Sequence, residues 1–332
     1  MVMEVSRIEN LPPPPGIIHS IKAGFDAIAS RISAILLPLI LNLLLWLGPR
    51  LRMDEMFKEM EGDLVRFWNA MQIPAEEIQN MLAIYEGMLQ SVNLFGLIRT
   101  LPVGISSLFA ANQSAALTPL GDPGVWQVNA WNFPLWLAFL ALVGWVGGAL
   151  YFRNVAWAAL AEKAASIRAV RAVAQTVLIS ILCNIILMAI GMPVFLILVV
   201  AAQINITLAN LAMLFITLAS VWVIVPIFFW AHGVFLNREN ALTSMLSSLQ
   251  LTRFTLPTSS LFVLTVFLLS YGLGFLWRIP ASDSWLTLLG IFGHSFVTTG
   301  LLAASFIYYH EMTAWVRAAL EKLRPNNIVK QA

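Results

Sequence analysis

Val173-Ala-Gln-Thr-Val-Leu-Ile-Ser-Ile-Leu-Cys-Asn-Ile-Ile-Leu-Met-Ala-Ile-Gly-Met-Pro-Val-Phe-Leu-Ile-Leu-Val-Val-Ala201 contains neither an acid nor a base. A helix that crosses a bilayer needs about 20 consecutive apolar residues, and this run exceeds that. Working outward, Leu208–Trp230, Leu261–Trp277 and Trp285–Tyr309 follow the same pattern downstream, and Trp131–Phe152 and Ile32–Leu47 follow it upstream. The whole chain agrees: of 332 residues 59% are apolar and 11% charged, with a mean hydropathy of +0.82, whereas soluble domains carry about 25% charged residues. That balance excludes a soluble enzyme, a nucleic-acid binder and a disordered scaffold. The predicted class is all-α, a polytopic membrane protein with six transmembrane helices, interfacial amphipathic helices and an outer helical hairpin.

Lysine and arginine set the expected orientation, because cytoplasmic segments are enriched in them. With the N-terminus inside, 13 bases fall on the cytoplasmic side and six outside, namely Arg50, Arg52, Lys58, Arg66, Arg99 and Arg278. Five of those six belong to one long loop, though Arg50 and Arg52 oppose the rule by directly following the first span. Residues 1–31 lack a compact apolar region followed by a small-residue cleavage site, so no cleavable signal peptide is read there. Trp46, Trp131, Trp277 and Trp285 at one set of span ends, and Tyr151, Trp230, Tyr308 and Tyr309 at the other, are expected to form two interfacial aromatic belts.

These boundaries divide the chain into a cytoplasmic tail and interfacial helix over 1–31, a first span over 32–48, an extracytoplasmic helical segment over 49–130, a five-helix membrane region over 131–312 and a cytoplasmic tail over 313–332. In the N-terminal region Pro12–Pro15 is a stiff extended stretch. Ile17, Ile18, Ile21, Phe25, Ile28 and Ile32 then share one helical face, with His19, Lys22, Asp26 and Ser30 turned away. Before the fifth span, Leu242, Met245, Leu246 and Leu249 oppose Thr243, Ser244, Ser247 and Ser248. Val155 to Val170, with Lys163, Arg168 and Arg171, is a weaker case before the third span. Each stripe reads as a helix lying in the interface. Two organisations fit: three copies of an interfacial helix plus hairpin, or ordinary amphipathic loops between spans.

The outer segment holds nine acids against five bases. Met56, Phe57, Met60, Leu64, Phe67, Trp68 and Met71 recur at helical spacing, and Pro74 opens a second helix with Ile78, Met81, Leu82, Tyr85, Met88, Leu89 and Val92. Six of the 13 methionines lie between Met53 and Met88, a composition suited to an adaptable contact surface. The hairpin either caps its own bundle or receives a protein partner. Beyond it, Leu101-Pro-Val-Gly-Ile-Ser-Ser-Leu-Phe109 is apolar, broken by proline and glycine and too short to span. It is an interfacial or re-entrant loop, the latter requiring protein cover for its backbone.

Catalytic signatures are absent. No His-Glu-x-x-His helix and no phosphate-cradling glycine loop occurs, and Gly293-His294-Ser295-Phe296 departs at its last residue from the Gly-x-Ser-Gly of intramembrane serine proteases. A single cysteine, Cys183, excludes an intrachain disulfide. Neither an enzyme nor a cofactor nor a metal site is expected. The spans carry no embedded acid of the kind ion-coupled carriers use. Their strongly polar members are Asn42, Asn184, Asn210 and His294. By helical rise, His294 and Asn42 lie ~3–5 Å outward of their span centres, which makes Asn42 the first candidate partner for a neutral His294. Gly144-x-x-x-Gly148 with Gly147, Gly290 with Gly293, and Gly272 with Gly274 offer bare faces for close helix contact. Gly191-Met-Pro193 is expected to kink the third span.

Asn240-Ala-Leu-Thr-Ser-Met-Leu-Ser-Ser-Leu-Gln-Leu-Thr-Arg253, followed by a span, and the ending Phe306-Ile-Tyr-Tyr-His-Glu-Met312 resemble bacterial six-helix membrane families of unknown function related to the membrane-anchor domain of glycerophosphodiester phosphodiesterases. The resemblance covers about the last 100 residues. It implies a bacterial membrane domain and no catalysis, since the phosphodiesterase chemistry of those families resides in a separate soluble barrel. The expected function is a non-enzymatic accessory or scaffold in the envelope of a bacterial plasma membrane, both termini cytoplasmic, in contact with membrane lipids. The alternative is a small permease or lipid-handling protein for a neutral or amphiphilic substrate. In a chain lacking Cys183, a cysteine at Glu76 or Glu77 is expected to react with an impermeant maleimide in intact cells; reaction only after permeabilisation would invert the topology.

Overall fold

The computed structural model describes residues 13–109, 117–160 and 167–323. Arg7, Pro12, Lys163 within the basic segment before the third span, and the tail bases Arg324 and Lys330 lie outside them. The helices are α1 (Ile17–Ser30), α2 (Leu36–Leu47), α3 (Asp54–Ala70), α4 (Ala75–Ser91), α5 (Phe133–Leu160), α6 (Ala169–Ile204), α7 (Ile206–Phe229), α8 (His232–Asn237), α9 (Ala241–Trp277) and α10 (Thr287–Leu323), with short strands β1 (Arg50–Arg52) and β2 (Val125–Gln127). The protein is all-α apart from that ribbon. Five helical segments are long and apolar enough to cross a membrane, and a sixth candidate exists if α1 and the following Ile32–Leu47 count as one broken span. The chain leaves helical geometry at Arg31 (φ −138°, ψ 62°). Alone, the 12 residues of α2 reach about 18 Å, short of the ~30 Å hydrocarbon layer.

Two compact units emerge, one from Met1–Arg31, Arg153–Phe267 and Gly300–Ala332, the other from Ile32–Phe152 and Leu268–Thr299. In the first, helices meet through small and hydroxyl-bearing faces. Ser20, Gly24 and Ile28 form the buried side of α1, while Ile18 of the isoleucine stripe is 83% exposed. A methyl group on Gly24 would lie 2.6 Å from the Gly300 carbonyl oxygen of α10. On α9 the buried side is Ser244, Ser248, Thr252, Thr255 and Ser259, and Leu242, Leu246 and Leu249 point outward. The expected stripe is therefore present, but part of the polar face meets protein rather than water. Ser244 Oγ donates to the Trp230 carbonyl (2.6 Å) and Ser248 Oγ to that of Phe229 (2.9 Å). These bonds satisfy carbonyls at the C-terminus of α7, whose own ladder is ending. The helix before the fifth span is set off from it by a kink: α9 comprises two helical stretches that meet at Thr255 (φ −125°, ψ 19°), two positions before Pro257, where the missing proline N–H interrupts the ladder.

The aromatic core of this unit overturns the expected second belt. Tyr308 stacks on Phe262 with centroids 4.0 Å apart, and Tyr308, Tyr309 and Trp230 are all buried. Tyr151, in the other unit, is buried too and shares a 2.9 Å hydrogen bond with Thr299. The reason is helix length: the 37 residues of α10 extend about 55 Å, so its tyrosines sit mid-helix and pack inward. By contrast, only 6% of the apolar window of α6 is buried, against 67% for α10. The α6–α7 hairpin turns its Ile, Leu, Met and Phe side chains outward, as lipid-facing helices do, and α6 continues through Pro193 as one helix.

In the second unit β1 and β2 pair in parallel, Leu51 opposite Trp126, and close the base of the α3–α4 hairpin. Asn93 Oδ1 accepts from the backbone N–H of both Leu51 (3.1 Å) and Phe95 (3.2 Å). Pro74 is the N-cap of α4 rather than its first residue. The hairpin stacks Tyr85 against Phe57 and Trp68, at 5.8 and 6.1 Å. Met60, Phe67, Met71, Ile84 and Met88 stay exposed.

The glycines of α5 do not receive a helix. A methyl group on Gly144 would lie 2.6 Å from the Ile98 carbonyl oxygen, one on Gly148 2.7 Å from that of Val103, and one on Gly147 3.1 Å from Ile105 Cδ1. Their bare face receives a non-helical segment instead. Gly290 and Gly293 of α10 face Trp277, and nothing lies within 4 Å of Gly272 or Gly274. Gly148→Leu is expected to lower the melting temperature in detergent by several degrees, as overpacking by ~1–3 kcal/mol does. Gly62→Leu, where a side chain meets open space, should leave it unchanged or raise it.

Candidate functional site

The segment received by α5 begins with a 3₁₀ turn, Leu94–Ile98, and runs on without regular structure to Phe109. Pro102 and Gly104 stop it from becoming a helix, yet Val103, Ile105, Ser107 and Leu108 are buried. Buried backbone outside a helix needs partners supplied by the protein. Here three side chains supply several of them. Asn42 Oδ1 accepts from Leu108 N–H (2.7 Å) and Ser107 Oγ (2.9 Å), while its Nδ2 donates to the Pro38 carbonyl of its own helix (2.7 Å). Arg278 Nε donates to the Leu108 carbonyl (2.9 Å) and an Arg99 Nη to that of Phe109 (3.2 Å).

His294 and Asn42 are thus not bonded to each other. Both engage the same segment: His294 Nε2 pairs with Ser106 Oγ at 3.2 Å, one residue before the group that Asn42 holds. The expected pairing presumed helix against helix, and the inserted segment takes that place. Asn184 donates back to the Ser180 carbonyl of its own helix (2.8 Å) and is exposed, as is Asn210; neither joins a site. Among the described residues no group of three His, Cys, Asp or Glu could hold a metal ion.

Beside this segment, at the C-terminal ends of α2 and α9, lies a cavity of about 450 Å³. Leu45, Trp46, Leu108, Phe109, Trp277 and Ile279 supply apolar walls, and Arg50 and Arg278 the charge. Trp46 is fixed by its Nε1 bond to the Ser282 carbonyl (2.7 Å) and by an edge-on contact with Trp285 at 5.9 Å. Nε1 of Trp277 is buried without a hydrogen-bond partner. Among the described residues no acid lines the cavity. The Arg99 guanidinium is held below its usual value by burial and then by the nearby positive charge of Arg278, against a smaller opposing influence of Tyr271. Burial and then Arg52 lower Arg50 likewise, opposed by Asp122. A volume in the range of small-molecule pockets, mostly apolar walls and a few convergent polar groups are the features of a ligand site.

Of these residues, the polar-residue reading of the spans found Asn42 and His294 but missed Ser106, Ser107, Arg99 and Arg278. One signal was present: Arg50 and Arg278 are bases that the charge rule leaves on its minority side. No protein-family model, curated protein or solved structure matches this chain.

Asn42→Ala removes both acceptor bonds to the inserted segment. It is expected to destabilise the protein by about 1–3 kcal/mol in mixed-micelle unfolding, and to speed modification of a cysteine placed at Ser106. Ser107→Ala, which leaves the bond to Leu108 N–H, should cost less on both readouts.

Proposed function

We propose that this chain is a non-enzymatic, multi-pass protein of a bacterial plasma membrane that handles a lipid-like molecule, seating it in the cavity beside the inserted segment. The observation that carries the reading is the cavity itself. Its walls of tryptophan, leucine, isoleucine and phenylalanine suit an acyl chain, and its charged groups are two arginines. Tryptophan at a helix end favours the boundary between hydrocarbon and headgroups. A ligand entering there would keep its polar end in the wet layer and its tail in the dry one. The surplus of lysine and arginine on the segments that join the other helix ends supports cytoplasmic termini.

A second reading, an accessory protein that holds a partner, is favoured by the exposed Met60, Phe67, Met71 and Met88 of the α3–α4 hairpin, since methionine-rich surfaces adapt to partners. The two readings are compatible: the exposed residues of the hairpin are not among those that line the cavity, and α3 is anchored near its start, by Asp54 to Arg52 (3.0 Å) and to Gln127 Nε2 (3.0 Å) and by Glu59 to the Ala130 N–H (2.9 Å).

The test is retention of an amphiphile through purification. Protein extracted from membranes in a neutral maltoside detergent should carry about one lipid per chain in native mass spectra, the stoichiometry of a single pocket. Ala281→Trp, which fills the cavity from an exposed lining position, should carry none. Equal lipid content in the two proteins would overturn the reading.

A further inference from the structure

We propose that the protein forms a two-fold dimer in the membrane, a second copy of this chain packing along the exposed side of α6 with Asn184 hydrogen-bonded to Asn184. None of the residues involved lines the cavity, so the dimer stands independently of the lipid-handling reading.

The α6–α7 hairpin is where the search leads. The apolar windows of α6 and of Ile206–Asn237 are 6% and 11% buried, the lowest of the five long apolar segments. After Cys183 no residue of α6 is buried until Ala201. One strongly polar side chain interrupts this bare surface. Asn184 lies three residues from the middle of the uncharged run Val173–Ala201, about 4–5 Å at the helical rise, and it is exposed. Its Nδ2 donates one hydrogen to the Ser180 carbonyl (2.8 Å). Among the described residues the second amide hydrogen and Oδ1 have no partner. Acyl chains offer neither donor nor acceptor, so at this depth both groups carry the cost of an unmade bond.

A second observation falls on the same face. Gly191 is seven residues further on, about 20° round the helix. Among the described residues a methyl group there would meet nothing within 4 Å, and glycine inside a helix is less stable than alanine. Nothing within the chain therefore calls for a bare position at 191. Ile181, Asn184, Met188, Gly191 and Phe195 are spaced alternately by three and four residues and are all exposed. That is the seam along which two helices pack, and a glycine in it lets their backbones approach.

A second copy fits this seam because every copy enters the membrane in one orientation. Two α6 helices related by an axis along the membrane normal run parallel, with both Asn184 side chains at one depth. A carboxamide is donor and acceptor at once. Each Asn184 gives its free hydrogen to Oδ1 of the other, and two reciprocal bonds form together. A chain of different sequence would have to present an amide at that same depth. A single asparagine in a heptad seam fixes register and number of strands in this way.

Two measurements test the dimer, both on the full chain with Cys183→Ala. Phe195→Cys, in two differently tagged copies expressed together, is oxidised in cell membranes with copper phenanthroline. A product carrying both tags is expected. Ile197→Cys, also exposed but about 160° round the helix from Phe195, should give little. Purified protein labelled at Glu77→Cys, an exposed position on α4, is then followed by energy transfer in liposomes over a range of protein-to-lipid ratios. Asn184→Leu is expected to weaken the dimer about tenfold, the factor for two interhelical hydrogen bonds in a membrane. Gly191→Leu should weaken it at least as much. Both changes lie on an exposed surface, so melting temperatures in detergent should be unchanged or raised, which separates lost pairing from lost folding.

A Phe195→Cys product no stronger than that of Ile197→Cys would overturn the assigned face. Cross-linking at Phe195→Cys to a different protein alone would overturn the second copy. Absence of energy transfer at every density, or transfer unaltered by both Asn184→Leu and Gly191→Leu, would overturn the dimer, whatever lipid the cavity retains.

Discussion

The carboxamide of Asn42 has to satisfy a stretch of backbone that is neither helix nor strand and yet is buried among apolar helices. In water such a segment would hydrogen-bond to solvent. Surrounded by apolar side chains it depends on protein groups, each missing bond costing on the order of 1–3 kcal/mol. Asn42, Arg278, Arg99 and the hydroxyl of Thr100, which donates to the Val103 carbonyl (2.8 Å), meet that need. The rest of the second unit follows from the insertion. Gly144 and Gly148 are bare so that the segment's carbonyls can approach α5. His294 finds Ser106 rather than another helix. Two arginines are drawn to adjacent carbonyls, and one of them, Arg278, lines the neighbouring cavity together with Arg50.

A related constraint organises the first unit. Where the surroundings are as apolar as leucine, burying leucine between helices gains little, and close packing with internal hydrogen bonds sets the contacts instead. Ser244, Ser248, Thr252, Thr255 and Ser259 therefore line the inward side of α9, and the leucines line its outward side. The same rule places Ser20 and Gly24 of α1 inward. His232 follows it too: it is enclosed by Phe228, Phe229, Phe306 and Tyr309 and shares a hydrogen bond with Ser305, 2.8 Å away.

Amphipathic patterns thus carry a double meaning in this chain. A stripe of leucine opposite serine reads as a helix on a membrane surface, with serine in water, and equally as a helix inside a membrane protein, with serine against its neighbours. The α9 stripe follows the second reading. For the α3–α4 hairpin the pattern is the ordinary one of water-exposed helices, rich in acids, with Trp68 and Ile78 as its buried contacts. Met60, Phe67, Met71, Ile84 and Met88 of the hairpin remain exposed.

The sequence by itself determined the all-α class, the apolar helices and their approximate limits, the paired helices on either side of Pro74, and the polar residues Asn42 and His294, because each depends on composition or on periodicity within a single segment. Hydrophobic runs and helical spacing are local properties, and they survive whatever the neighbours do. What faces what was decided only by the tertiary structure. The glycine face of α5 could have met a helix or a loop, since a bare surface records close approach but not the identity of what approaches. Tyr308 and Tyr309 could have ended a helix at the headgroups or lain in its middle, depending on how far α10 continued. The bond expected between His294 and Asn42 was displaced because a segment distant in sequence offered both of them nearer partners. The cavity is the clearest case: Trp46 and Arg50 are brought to Trp277 and Arg278 across more than two hundred residues of chain, and a site assembled at that separation leaves no periodic trace in either segment.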